Sequence, residues 1–208
     1  EKEGTITINN PGAINIENNA DYFYAAGIYT GKGNIIINND NDPAHAVKIR
    51  GSVGGTDTTF IVNWTGIKTS GGEVNIKGLA DIYSDGAWSI GSAPGVISIG
   101  GGSIVSNNYE SIDAYGGGTV SVNTIGSGDA LTAGTNDLVV KGNIKTQGSW
   151  VGAGSGGTIN LGFTTDKSEF IGLSNRAVTN AGVKVGAVNM FLQNGATWIN
   201  QDGWKNGD

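Results

Sequence analysis

The sequence predicts an all-β chain wound as a right-handed parallel β-helix, with about three short strands per coil of roughly 20–23 residues. One phrase, a glycine followed by apolar-polar-apolar alternation, occurs three times. The copies are Gly72-Glu73-Val74-Asn75-Ile76, Gly95-Val96-Ile97-Ser98-Ile99 and Gly118-Thr119-Val120-Ser121-Val122, and Val74, Ile97 and Val120 fall 23 residues apart. Alternation at period two marks a strand with one buried face. A strand so short cannot bury that face alone, whereas stacked copies share one core. The 37 glycines follow no Gly-X-Y period, which excludes collagen. Helix formers are scarce, and the 38% of apolar residues sit in periodic runs.

Taken in order, the chain repeats this pattern with irregular steps. Thr5 to Asn9 is a first phrase. Gly12-Ala13-Ile14-Asn15-Ile16 follows eight residues later, so the first coil reads as partial or irregular. Gly33-Asn34-Ile35-Ile36-Ile37 opens the next, with the strands between supplied by Tyr22 to Tyr29. The 39 residues from Ile35 to Val74 read as two coils, the missing one built from Ala46 to Ile49 and Thr58 to Trp64. After the regular triplet come Asp137 to Val140, Thr158 to Leu161 and Val188 to Leu192, with a longer loop expected at 166–180. Roughly nine coils of ~4.8 Å would make a rod about 40 Å long. Asparagine pairs after strands (Asn9-Asn10, Asn18-Asn19, Asn38-Asn39, Asn107-Asn108) suit sharp corners and stacked amide ladders. Residues 1–208 form a single segment, and both ends read as cuts through a longer repeat array. A leucine-rich repeat needs several leucines per repeat and is set aside.

Net charge is −6 and the few basic residues are scattered. Nothing here neutralises phosphates, so neither nucleic acid nor anionic lipid is an expected partner. Cysteine is absent, which excludes disulfides and thiolate metal sites. No apolar run is long enough for a spanning helix.

The stretch Val188-Asn189-Met190-Phe191-Leu192-Gln193-Asn194-Gly195-Ala196-Thr197-Trp198-Ile199-Asn200 resembles a recurring strand-then-Asn-Gly-Ala-Thr-Trp phrase of classical type V autotransporter passenger domains. The Gly-x-Ile-x-Ile coils and Ala26-Gly27-Ile28-Tyr29 are similar to that family too. The resemblance implies a β-helix exported through an outer-membrane barrel, here absent, and displayed on a Gram-negative surface. The family includes adhesins, proteases and esterases, so fold alone does not select an activity.

Catalytic patterns are weak. A serine hydrolase needs a base beside its nucleophile, yet there is one histidine, His45, and no Gly-x-Ser-x-Gly elbow. Gly152 to Gly157 comes near and reads as a corner. Glycan-cleaving β-helices need carboxylates around a groove; Asp40 with Asp42, Asp81 with Asp85, and Glu110 with Asp113 read as corner pairs. Gly126-Ser127-Gly128-Asp129 is one unrepeated fragment of a calcium roll, so no metal or cofactor is expected. The expected function is a non-enzymatic surface adhesin that attaches to a host or bacterial glycan or matrix protein, or self-associates in biofilm. A β-helical carbohydrate-active enzyme and a ligand-free stalk spacer are the alternatives. Candidate binding residues are the aromatics outside the core phrases: Tyr22, Tyr24, Trp64, Trp88, Tyr109 and Tyr115.

Overall fold

The computed structural model describes residues 4–9, 12–20, 26–53, 64–85, 88–107, 110–148, 155–177 and 186–202. The chain is all-β and its sheets are mostly parallel. It visits three rows of strands in turn and returns to the first. The first row holds Thr5–Asn9, Asn34–Asn38, the first halves of Glu73–Asp85 and Val96–Ser106, then Thr119–Val122, Thr158–Phe163 and Ala187–Leu192. The second holds Ile14–Ala20, Val47–Val53, the second halves of the two long strands, Leu138–Lys141, Glu169–Ile171 and Thr197–Ile199. The third holds Ile28–Thr30, Trp64–Thr69, Trp88–Ser92, Ile112–Tyr115, Ile144–Gln147 and Ser174–Ala177. A small antiparallel pair, Thr124–Ile125 with Thr132–Ala133, projects from one corner.

The registers carry the core. Ile35, Val74, Ile97, Val120 and Ile159 are successive partners in the first row. Ile49, Ile82, Ile104, Val140 and Phe170 do the same in the second, and Ile67, Ile90, Ile112 and Ile144 in the third. From Val74 to Ile159 the first of these columns is fully buried, and so are the third and nearly all of the second. Each such side chain contributes ~1.5–3 kcal/mol relative to an exposed one.

A column of glycines precedes the first row. A Cβ on Gly72 would lie 2.2 Å from the Gly33 carbonyl oxygen, and one on Gly157 would lie 2.1 Å from that of Ala114. The stack closes there only without side chains. The next amide of each circuit then donates to the glycine one circuit back: Glu73 N to Gly33 O, Val96 N to Gly72 O, Thr119 N to Gly95 O and Thr158 N to Gly118 O, at 2.8–3.1 Å. Buried hydroxyls line the same corner. Thr30 Oγ1 donates to Gly33 O at 2.6 Å, Ser92 Oγ to Gly95 O at 2.7 Å, and Thr69 Oγ1 lies 3.2 Å from Ser92 Oγ.

The 23-residue step of the triplet is the register step, as expected. The count of coils is not. Seven strands line the first row among the described residues, against nine coils expected. Ile14 pairs with Val47 and Leu138 with Gly102, so both phrases belong to the second row of circuits already begun at Thr5 and Thr119. The interval from Ile35 to Val74 is one circuit of 39 residues, not two coils. First- and second-row strands share one alternation, so an isolated phrase does not reveal its row. The 20–23-residue coil therefore holds only in the middle; outer circuits advance by 29 and 39. Residues expected to form a longer loop at 166–180 contain the strands Glu169–Ile171 and Ser174–Ala177. Amide ladders form at Asn9 with Asn38 and at Asn160 with Asn189. Asn10 and Asn108 lie outside the described residues.

A one-residue slip would turn every side chain to the other face. Ile97 is fully buried while its neighbour Val96 is 39% exposed. Ile97→Ala should cost ~2–5 kcal/mol in chemical denaturation, and Val96→Ala less than about 1 kcal/mol. Equal costs would show that the register of this circuit is wrong.

Candidate functional site

The two 39-residue circuits both carry an insert at the same corner, between the first and second rows. One insert runs from Asn39 to Ala46 and includes the 3-10 turn Pro43–His45. The other runs from Asn123 to Asp137 and includes the small antiparallel pair. Between them lie the two shortest circuits, which pass the corner without a break in strand. Glycine makes that possible: a Cβ on Gly78 would meet Asp40 O at 1.9 Å, and one on Gly100 would meet Lys77 O at 2.2 Å.

One buried asparagine clips each insert at its base. Asn39 Oδ1 accepts from Gly78 N at 2.9 Å, and its Nδ2 donates to Leu79 O and His45 O at 2.9 and 3.3 Å. Asn123 Nδ2 donates to Asn136 O and Gly162 O, both at 2.7 Å, while its Oδ1 accepts from Asn136 N at 3.1 Å. Asn123 sits at φ 51°, a left-handed conformation that asparagine tolerates. Each clip thus ties both ends of its insert to the next circuit. A strut joins the inserts: Asn136 Nδ2 donates to Asn41 Oδ1 at 3.1 Å and to Gly100 O at 2.8 Å.

The inserts flank a cleft of about 430 Å³ over the second row. Ala80, Gly102, Asp81, Ser103 and Val139 make its floor, with Leu79 beside them. Asn41, Pro43 and Ala46 form one wall, and Thr135, Asn136 and Asp137 the other. Arg50 Nη2 lies 3.6 Å from Asp81 Oδ2, and its guanidinium sits 5.9 Å from the centre of the Tyr83 ring. Thr165 Oγ1 donates to Asp137 Oδ1 at 2.6 Å. Behind the first wall, His45 Nδ1 lies 3.1 Å from both oxygens of Asp40. That hydrogen bond raises the His45 pKa; the Asp40 pKa is lowered first by the amide of Asp42 and then by His45.

A second polar cluster lies on the third row. Trp88 Nε1 donates to Glu110 Oε2 at 2.6 Å, and Lys145 Nζ lies 3.8 Å from Glu110 Oε1. Beside them Asp113 is only 3% exposed and accepts from Gln147 Nε2 at 2.8 Å, while its Oδ1 has no partner. Burial pushes the Asp113 pKa up to about 7; Lys145 opposes this and Glu110 adds to it. The carboxyl holds a proton close to neutrality but is closed off from any substrate.

Of the aromatics singled out, Tyr22, Tyr24 and Tyr109 lie outside the described residues. Trp64 occupies the register position opposite Trp88. Trp88 and Tyr115 lie on the third row and are half-buried. Two aromatics outside that set are more open. Tyr29 is 56% exposed with its hydroxyl 2.9 Å from Ser70 Oγ, and Trp198 is 41% exposed, stacked on Phe170 at 5.6 Å. Alternation points to Tyr29, since it follows the buried Ile28. The cleft left no comparable trace, because it depends on which two circuits carry inserts.

Among the described residues no hydroxyl bonds to the ring of His45, as a nucleophile–base pair requires. No group of three or more His, Cys, Asp or Glu could hold a metal among the described residues. No helix among them is long and apolar enough to cross a membrane. No protein-family model, curated protein or solved structure matches the chain.

Two measurements test these local readings. Between the ordinary carboxyl value of 3.8 and about 7, unfolded Asp113 has lost the proton that folded Asp113 keeps. Stability should therefore fall as pH rises through that window and level off above it. The full span is on the order of 4 kcal/mol. Asp113→Asn should flatten this slope in thermal melts, and parallel slopes would show that Asp113 is not shielded. Asn123→Gly keeps the left-handed backbone but strips the clip. It should cost about 2–3 kcal/mol by leaving buried carbonyls unpaired, read by denaturant titration against Asn194→Gly, which also has a positive φ (53°) but lies exposed.

Proposed function

We propose that the chain is a stretch of right-handed parallel β-helix that works as a non-catalytic adhesive rod on a bacterial surface. In this reading it is part of an autotransporter passenger. The observation that carries it is the alignment of outward polar groups from circuit to circuit. Along the first row Ser121 and Asn189 are each hydrogen-bonded to Asn160, which is itself buried at 7% exposure and holds the two more open groups in line. Asn9 with Asn38 and Asp85 with Asn107 repeat the arrangement elsewhere. Aligned, pre-ordered polar groups suit many weak contacts to a repetitive partner, where avidity replaces single-site affinity. Seven strands ~4.8 Å apart give roughly 30 Å of stiff surface. The partners are a surface glycan, a matrix protein or a second copy of the rod.

The purified chain, coated on beads, should adhere to glycan-bearing or matrix-coated surfaces and release no reducing sugar from the glycans. Sugar release that disappears on changing a carboxylate would replace this reading with a glycan-cleaving enzyme. No adhesion, together with an unchanged sedimentation coefficient at rising concentration, would sink it.

A further inference from the structure

The geometry points to a ligand for the cleft between the corner inserts: one or two pyranose rings of an uncharged saccharide. This deepens the adhesive reading and rests on it. Ligand sites for small molecules span roughly 300–1,000 Å³, and a cleft of about 430 Å³ falls in that range. Its walls are held before any ligand arrives. Asn39 and Asn123 clip them to the next circuits, and the Asn136 strut joins them to each other and to Gly100 O. Little ordering is left to oppose binding. The floor is kept low by size. A Cβ on Gly102 would meet Ala80 O at 2.1 Å, so no side chain fits at that position.

The lining matches the two-sided character of a pyranose. Leu79, Val139 and Pro43 offer apolar surface to a ring's C–H face. Around them, polar groups point to where the hydroxyls would lie. Asp137 Oδ1 is taken by Thr165, and Asp81 Oδ2 faces Arg50. The second oxygen of each carboxylate, the Asn41 Nδ2, and the hydroxyls of Ser103 and Thr135 make no hydrogen bond to the described residues. Carboxylate oxygens accept strong bonds from sugar hydroxyls. Asp137 disfavours acidic sugars by like-charge repulsion, while the charge of Asp81 is offset by Arg50; an uncharged sugar meets neither penalty.

Amide ¹H–¹⁵N spectra of the whole chain, titrated with methyl pyranosides of glucose, galactose, mannose and N-acetylglucosamine, test this directly. At least one should shift Gly102, Ser103 and Asn136 together. Ser103→Phe, which fills the floor from a half-exposed position, should weaken that binding at least about tenfold without lowering the melting temperature; Asp137→Asn should weaken it less, with the peak pattern otherwise retained. No shift with any pyranoside, or equal binding by Ser103→Phe, overturns the assignment. Shifts at the same amides with a lysine-rich peptide but not with sugars overturn it in favour of a cationic peptide. Glycan adhesion that persists in Ser103→Phe removes the cleft and leaves the adhesive rod standing. Cleft shifts without adhesion to any surface leave the saccharide site and remove the rod's role.

Discussion

The structure depends on how closely one circuit can approach the next at the corner before the first row. There the backbone of each circuit passes over the carbonyl of the one before, at distances that exclude a Cβ. The glycines of that column do more than permit a turn. They bring Glu73, Val96, Thr119 and Thr158 into bonding distance of the preceding circuit and so set the phase of every strand that follows. The isoleucine and valine columns supply the apolar burial, but they align because the glycine corner has already fixed the register. The buried hydroxyls of Thr30, Thr69 and Ser92 complete the same corner by engaging glycine carbonyls or one another.

The opposite corner follows another rule. Between the first and second rows the chain either runs straight through, as at Gly78 and Gly100, or leaves and comes back. At the two long inserts a buried amide stands in for the missing strand continuity. Asn39 and Asn123 each bond both to their own insert and to the next circuit, so a departure from regular structure does not leave the corner's backbone unsatisfied. A polar group inside the stack is tolerated because each of these amides has several partners. Asp113 is the contrasting case, with one oxygen unpartnered and a proton held near neutrality.

Much of the fold was legible because alternation and glycine are local signals. Val74, Ile97 and Val120 announce their stacking through spacing alone, since their circuits contain no insert. The counting of circuits was not legible. Ile14 and Leu138 sit in phrases that look like first-row phrases, and only pairing with Val47 and Gly102 places them in the second row. The clips were hidden for a related reason. In the sequence Asn39 reads as a corner residue like the other paired asparagines, and nothing near it announces its bond to Gly78, 39 residues on. Of the aromatics, Trp88 reads from the sequence as a candidate exposed contact, but it is half-buried and its indole N–H is engaged by Glu110, which only the third-row stacking brings beside it.

Successive circuits advance by 29, 39, 23, 23, 39 and 29 residues, yet each re-enters the first row at the same glycine. Length and register are therefore uncoupled. Corner inserts of different length are accommodated without shifting the first-row register, whereas a single added methyl group at Gly72 would meet the Gly33 carbonyl oxygen. In an array of this design the corners set the size of each circuit and the smallest residue sets its register. Its surface relief varies from one circuit to the next while the first-row register is kept.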